Sequence, residues 1–140
     1  MSEQQPKFHK WFHNFLIYFA LWAFPLFGVA YGVYYIDFAQ ENAVRYMPLV
    51  IILAVLLILV SLFTIKVRFD LAAFRPAAPK ELLIVCLASA AVILLIHLAL
   101  YCGQAIESLR GAGDAGIFAI WGFVLYRYYN DRPYLFTDVD

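Results

Sequence analysis

The sequence predicts an all-α integral membrane protein, a single four-helix bundle over residues 1–140 with both termini in the cytoplasm. Composition is the first reason, because 65% of the residues are apolar, 14% are charged and the mean hydropathy is +0.78. Soluble domains average roughly 45–50% apolar and about 25% charged residues, and a chain this short cannot hide such an excess in one core. Long uncharged runs and unevenly distributed basic residues are the other two reasons.

The first predicted span covers residues 14–36 and follows two lysines, Lys7 and Lys10. A basic start before an apolar run is also typical of a signal peptide. This run is too long and too aromatic for one, and no small-x-small cleavage site follows, so we expect the span to be retained. Pro25 lies inside it and predicts a kink, because proline removes a backbone hydrogen bond and crowds the preceding turn.

The second predicted span covers residues 47–66 and is the richest in Leu, Ile and Val. Pro48 suits its first turn. The apolar pattern continues beyond the span as an amphipathic stub, in which Lys66 and Asp70 are spaced for an i,i+4 ion pair. Prolines then end the helix within a basic cytoplasmic loop over residues 66–80.

The third predicted span covers residues 81–106 and the fourth covers residues 110–129. The fourth has the weakest signal, since its uncharged stretch, 115–126, is short for a crossing. It becomes long enough if the helix begins near Ser108 or continues to Tyr129. Cys86 and Cys102 share the third run about 24 Å apart along a helix, so we predict single thiols.

The basic residues predict the orientation, because loops facing the cytoplasm carry an excess of Lys and Arg. Four spans place most of them on the side of the termini: Lys7, Lys10, Lys66, Arg68, Arg75, Lys80, Arg127 and Arg132. Amphipathic aromatic residues near the span ends are interpreted as interfacial anchors: Trp11, Tyr34, Tyr35, Tyr46, Tyr101, Tyr126, Tyr128 and Tyr129. The outer side carries acidic residues that are either solvated loop charges or a mouth attracting cations: Asp37, Glu41, Glu107 and Asp114.

His97 is the one ionisable side chain, thiols aside, that lies well inside an apolar run. Burying such a group unpaired costs several kcal/mol, so an intramembrane histidine is a candidate functional site. A relay needs a partner at similar depth, and the other spans offer hydroxyl groups but no carboxylate. A neutral imidazole bonded to a neighbouring helix explains the residue equally well.

Small residues recur on two predicted helices. Gly28 and Gly32 form a G-x-x-x-G pattern, and Ala115 and Ala119 make a similar face on the fourth helix. Such faces allow two helix backbones to approach closely. They serve packing within the bundle or oligomerisation; internal packing is favoured for the fourth helix, and both uses remain open for the first.

No arrangement of residues in this sequence predicts catalysis. Nucleophile–base pairs, phosphate-binding loops and Cys/His clusters are missing, so we expect neither an enzyme nor a cofactor. His9 and His13 share one helix face, a spacing that can hold zinc or copper. Two ligands alone make a poor site, and we interpret residues 7–13 as a basic aromatic anchor instead. A formal net charge of zero gives no case for nucleic acid.

Three segments carry a resemblance to a known group of proteins. They are residues 11–23 (WFHNFLIYFALWA), residues 68–74 (RFDLAAF) followed by Ala78 and Pro79, and residues 128–136 (YYNDRPYLF). The chain resembles small uncharacterised four-span membrane proteins of Gram-positive gut bacteria. Pro133 and Tyr134 depart from the basic ending of that group. The resemblance implies four spans in a bacterial plasma membrane and implies no activity.

Two functional hypotheses follow. The first is a non-catalytic membrane module that self-associates or joins other membrane subunits, with the lipid bilayer as its other partner. Its expected cytoplasmic contacts are the loop 66–80 and the tail 132–136. The second is a small transporter or channel whose path is lined by His97. A polar cavity reaching His97 would favour transport, whereas a capped histidine in a dry interior would favour the module.

Overall fold

The computed structural model describes residues 7–136, and over this range the protein is all-α, as predicted. The helices are α1 (Lys10–Glu41), α2 (Met47–Ala72), α3 (Ala78–Cys102) and α4 (Gly113–Asn130). Two 3₁₀ segments, Arg110–Ala112 and Pro133–Phe136, flank α4. Short connections make consecutive helices antiparallel neighbours, so α2 packs on α1, α3 on α2 and α4 on α3.

Helix α1 is continuous but not regular. Leu16–Ala20 form a π-helical turn, and the Leu21 N–H donates to the Leu16 carbonyl five residues back. Pro25 lies just beyond this turn, inside the helix. The sequence predicts a kink at Pro25; the irregular turn in the structure comes earlier, at Leu16–Ala20. Single π-helical turns inside α-helices are uncommon and often occur at functional positions.

Helix α2 continues past Lys66 to Ala72, as the amphipathic pattern predicts. The predicted ion pair is confirmed, because Lys66 Nζ lies 2.7 Å from Asp70 Oδ2, and the same ammonium lies 2.7 Å from Glu81 Oε2 on α3. The chain then reverses at Phe74, which adopts a φ of 54° in the left-handed region.

Helix α3 begins with Pro79 in its first turn, where a missing N–H costs nothing. Cys86 and Cys102 are free thiols, as predicted; the first is buried and the second exposed. Helices α1, α2 and α3 are long and apolar enough to cross a membrane, by length and composition. Helix α4 has 18 residues and is not among these three.

The interior contains two hydrophobic clusters, one toward each end of the molecule. We call the end that carries Lys7, the α2–α3 connection and Phe136 the terminal end, and the opposite end the distal end. The cluster at the terminal end includes Leu16, Leu71, Leu82, Leu125 and Tyr129. The cluster at the distal end includes Val50, Leu57, Ile93, Ile96 and Ala115.

The outer surface is also apolar. Leu26 and Phe27 on α1 are 74% and 73% exposed, and Ile120 on α4 is 66% exposed. Leu59 on α2 and Ile84 on α3 are more than half exposed as well. Every helix therefore presents large hydrocarbon side chains outward, far beyond the scattered apolar surface of a soluble monomer.

Candidate functional site

His97 is buried on α3 and is held by hydrogen bonds on both ring nitrogens. Its Nδ1 lies 2.9 Å from the Ile93 carbonyl oxygen, which can only accept, so the Nδ1–H donates. Its Nε2 lies 3.1 Å from the Tyr35 hydroxyl and 3.4 Å from the Tyr31 hydroxyl, both on α1. With the hydrogen on Nδ1, the Nε2 atom can accept a hydrogen bond from a tyrosine hydroxyl, and Tyr35 is the nearer of the two donors.

The sequence places these groups together through helix periodicity. Tyr31 and Tyr35 are spaced i,i+4, which puts their rings on the α1 face that also carries Gly28 and Gly32. On α3, His97 lies five residues before the last residue, Cys102, or about 7.5 Å below the distal helix end. The histidine therefore belongs to the distal end and not to the middle of the molecule.

Gly111 covers the histidine from the α3–α4 connection. A Cβ atom at this position would lie 2.7 Å from Nε2 of His97. Only a residue without a side chain fits over the ring without displacement. The imidazole is thus enclosed by α1, by its own helix and by the connection that precedes α4.

A small cavity of about 40 Å³ lies next to this cluster, at the centre of the molecule. Tyr31, Ser61 and Ser89 contribute to its lining, together with aromatic and aliphatic side chains. Ser61 Oγ donates to the Leu57 carbonyl at 2.8 Å. Ser89 Oγ is fully buried and has no hydrogen-bond partner among residues 7–136. The volume suits one or two water molecules, and no continuous polar path follows from it.

The candidate packing residues lie at helix contacts. A Cβ atom on Gly28 would overlap Ser61 of α2, and one on Gly32 would lie 2.9 Å from the Ala54 carbonyl oxygen. On α4, Ala115 is buried and Ala119 is partly buried against the distal cluster. The G-x-x-x-G face of α1 is therefore occupied by α2 within one chain.

An apolar groove of about 310 Å³ opens between α1 and α4. Aromatic side chains form most of its walls: Phe15, Phe19, Phe24, Phe27, Phe118 and Trp121. Its floor includes Leu82, Cys86 and Leu125, which are core residues. The groove therefore connects the outer surface with the hydrophobic interior.

Two further histidines meet tyrosines at the terminal end. His9 Nδ1 lies 3.1 Å from the Tyr128 hydroxyl, and His13 Nδ1 lies 2.9 Å from the Tyr129 hydroxyl. His13 is buried and stacks on Phe74 with ring centroids 4.7 Å apart. The two imidazoles bind different partners, and no group of three or more His, Cys, Asp or Glu that could hold a metal is found in the described part of the chain.

The expected contact segments are partly used within the chain. Arg132 donates from Nε to the Lys7 carbonyl at 2.8 Å and from Nη1 to the Tyr128 carbonyl at 2.7 Å. Phe136 is buried against Phe74 and Tyr129. Residues 132–136 are thereby bound to Lys7 and to the end of α4.

The four acidic residues of the predicted outer mouth are all exposed at the distal end: Asp37, Glu41, Glu107 and Asp114. None forms an ion pair within the described range.

Two histidine–tyrosine contacts are not predicted from the sequence. Tyr35 and Tyr129, for which the sequence predicts only a role as interfacial anchors, form hydrogen bonds with His97 and His13. The helical spacing that places Tyr31 and Tyr35 on one face with Gly28 and Gly32 is a sequence signal for the contact with His97. No sequence signal exists for the contact between His13 and Tyr129, because the two residues are 116 positions apart.

No protein-family model, curated protein or solved structure matches this chain at a significant level.

Proposed function

We propose that this chain is a four-span, four-helix membrane bundle that works by self-association and not by catalysis. The plasma membrane of a bacterium is its proposed location, with both termini in the cytoplasm. The apolar groove between α1 and α4 is the observation that carries the proposal, because it is the point where a partner helix would reach core residues.

Membrane insertion is supported by the surface of every helix. In water, exposed leucines and phenylalanines on all sides would drive aggregation, whereas hydrocarbon solvates them. Three helices meet the length and composition of a span. The 18 residues of α4 extend over about 27 Å, close to the roughly 30 Å of a bilayer core. The basic residues of the terminal end favour the cytoplasm for that end.

The proposed occupant of the groove is a helix from a second copy. Phe19 and Phe27 at the rim of the groove are 63% and 73% exposed, so the same surface contains both a hollow and protruding rings. A surface of that kind can pair with itself about a twofold axis, each copy inserting a ring into the other's hollow. Close packing of such rings favours helix association within lipid, where the hydrophobic effect is weak.

The test is energy transfer between copies in liposomes at increasing lipid-to-protein ratios. The exposed thiol of Cys102 takes the donor or acceptor dye, while buried Cys86 is protected. We expect transfer that persists on dilution and a Phe19→Ala variant whose dissociation constant is about tenfold larger, equivalent to 1.4 kcal/mol. The matched control is Phe123→Ala, which removes a ring that is 56% exposed and lies outside the groove.

Loss of transfer at low protein density in the unaltered chain would reject self-association. Equal weakening by Phe19→Ala and Phe123→Ala would reject the groove as the contact. The chain could also be monomeric when diluted and co-purify with another membrane subunit in a Phe19-dependent manner. That result would show that the other subunit occupies the groove, and it would overturn the second-copy proposal.

The alternative function is a small transporter with His97 on its path. The observation that favours it is the Ser89 hydroxyl, which lines the same cavity as Tyr31 and has no hydrogen-bond partner within residues 7–136. Proton or ion flux into liposomes containing only this chain, lost in His97→Leu, would establish the alternative.

A further inference from the structure

Arg68 differs from the other basic side chains of the terminal end in its surroundings. It is partly buried on α2, and its Nε–H donates to the Ile17 carbonyl oxygen at 2.7 Å. That carbonyl belongs to the π-helical turn of α1. The bond fixes the plane of the guanidinium between the two helices, where most surface arginines rotate freely.

Three aromatic rings surround the guanidinium carbon. The Tyr18, Trp22 and Phe69 ring centroids lie 5.4, 5.3 and 4.9 Å from it. Such distances allow cation–π attraction, which holds the charge in place. The rings of Tyr18 and Trp22 also carry an O–H and an N–H donor, and both residues are exposed.

The charge of Arg68 is not neutralised by a carboxylate within residues 7–136. Arg68 forms no ion pair with any carboxylate that the structure describes. The nearest acidic residue in sequence, Asp70, is bound by Lys66 at 2.7 Å and by Arg75 at 3.5 Å. Because arginine has five N–H donors and one is used, the donors on Nη1 and Nη2 remain for an external acceptor.

The position along the helix suits the membrane boundary. Arg68 lies four residues before the end of α2 at Ala72, about 6 Å along the axis. Lys66 and Glu81, at nearly the same level, form an exposed polar contact. In a bilayer crossed by α2 as proposed above, lipid phosphates lie near the end of the helix, and a planar guanidinium binds phosphate oxygens in bidentate fashion.

We propose that Arg68, with the rings of Tyr18, Trp22 and Phe69, binds the phosphate of a membrane phospholipid at the terminal end. The aromatic rings would contact the glycerol and upper acyl region while the two terminal nitrogens take the phosphate oxygens. This site is separate from the groove between α1 and α4, so it requires the membrane location proposed above but not self-association.

The experiment is native mass spectrometry of the full chain in detergent, titrated separately with dioleoylphosphatidylglycerol and dioleoylglycerol. We expect the phosphate-bearing lipid to bind at least tenfold more tightly than the phosphate-free one. Arg68→Gln should abolish that preference. The matched control, Arg127→Gln, removes the same charge from a side chain that is 86% exposed, and should change the affinity less than twofold.

Equal losses in Arg68→Gln and Arg127→Gln would overturn the proposal in favour of diffuse charge attraction. Inorganic phosphate that displaces the lipid at equal concentration would identify a soluble anion as the ligand and overturn the lipid assignment. If circular dichroism shows that Arg68→Gln does not fold, the Trp22→Leu variant tests the site in its place, because it keeps the charge of Arg68 and the hydrogen bond to Ile17. It should weaken binding two- to fivefold, and unchanged affinity would reject the site.

Discussion

The two sides of α1 differ in how they meet the rest of the chain. On the α2 side, Gly28 and Gly32 bring the backbones so close that added methyl groups would strike Ser61 and Ile58. On the α4 side, aromatic rings hold the helices apart and a groove of about 310 Å³ remains. One helix thus has a closed contact built from glycines and an open contact built from phenylalanines.

This difference shows what each residue type does at a helix contact. Glycine removes side-chain volume, so dispersion contacts form between backbones over a large area. Phenylalanine adds contact area but cannot fill an angular gap completely, and edge-to-face pairs such as Phe24 with Phe118, 5.1 Å between centroids, leave space beside them. The closed side therefore supplies stability, and the open side is the surface through which we propose that the chain associates.

The largest expected effect comes from closing space on the α2 side. Gly28→Ala should lower the free energy of unfolding by about 2–3 kcal/mol, because the new methyl group overlaps Ser61 and the well-packed contact cannot expand without loss. Unfolding in mixed detergent micelles, followed by circular dichroism, measures the change. Combining the variant with Ser61→Gly should recover part of the loss, and independent effects of the two changes would refute the contact.

The next largest effect concerns the hydrogen bond between Tyr35 on α1 and His97 on α3, at the distal end. His97→Leu should lower the free energy of unfolding by about 1–2 kcal/mol, because it leaves the Tyr35 hydroxyl without its acceptor. His97→Gln, which keeps a polar group, should cost less. The same micelle titration reports both variants, and equal stability of His97→Leu and the unaltered chain would show that the bond contributes nothing.

A smaller loss is expected where α4 meets α3. A Cβ atom on Gly122 would lie 2.6 Å from Cys86 Cβ, so Gly122→Ala should cost about 1 kcal/mol after its gain in helix propensity. Cys86 is also part of the groove. Reaction of the buried thiol with a small maleimide should accelerate in this variant, and an unchanged rate would mean that α4 stays in place.

The smallest effect, with the opposite sign, is expected at Gly116 of α4. Nothing lies within 4 Å of a Cβ atom added there. Gly116→Ala should raise the free energy of unfolding by up to about 1 kcal/mol through helix propensity alone. This variant is the matched control for Gly28→Ala and Gly122→Ala, and a loss as large as theirs would show that contacts are not the cause.

Much of the fold follows from local signals. The long apolar runs predict the helices of the all-α fold, and prolines mark the starts of α2 and α3. The continuation of α2 to Ala72 and the Lys66–Asp70 pair follow from helical periodicity. These features depend on residues within one or two turns of each other, so a sequence pattern contains them directly.

The candidate sites are less accessible to such reasoning. The sequence identifies His97 as unusual because ionisable groups are rare in apolar helices. It does not predict that Tyr35 and Gly111 enclose this histidine. The π-helical turn at Leu16–Ala20 has no sequence signature of its own. In the sequence, Arg68 cannot be distinguished from the other basic residues of the predicted loop. Its hydrogen bond to the Ile17 carbonyl is visible only in the structure.

The sequence by itself determined that this protein is helical, and it showed which small and ionisable residues are unusual. Only the tertiary structure decided that Gly28 and Gly32 face α2, that α1 and α4 leave a groove, and that three histidines each meet tyrosines. Helix formation depends on neighbours along the chain, whereas these contacts depend on how whole helices dock. The histidine–tyrosine hydrogen bonds, for example, join residues separated by 62 to 119 positions.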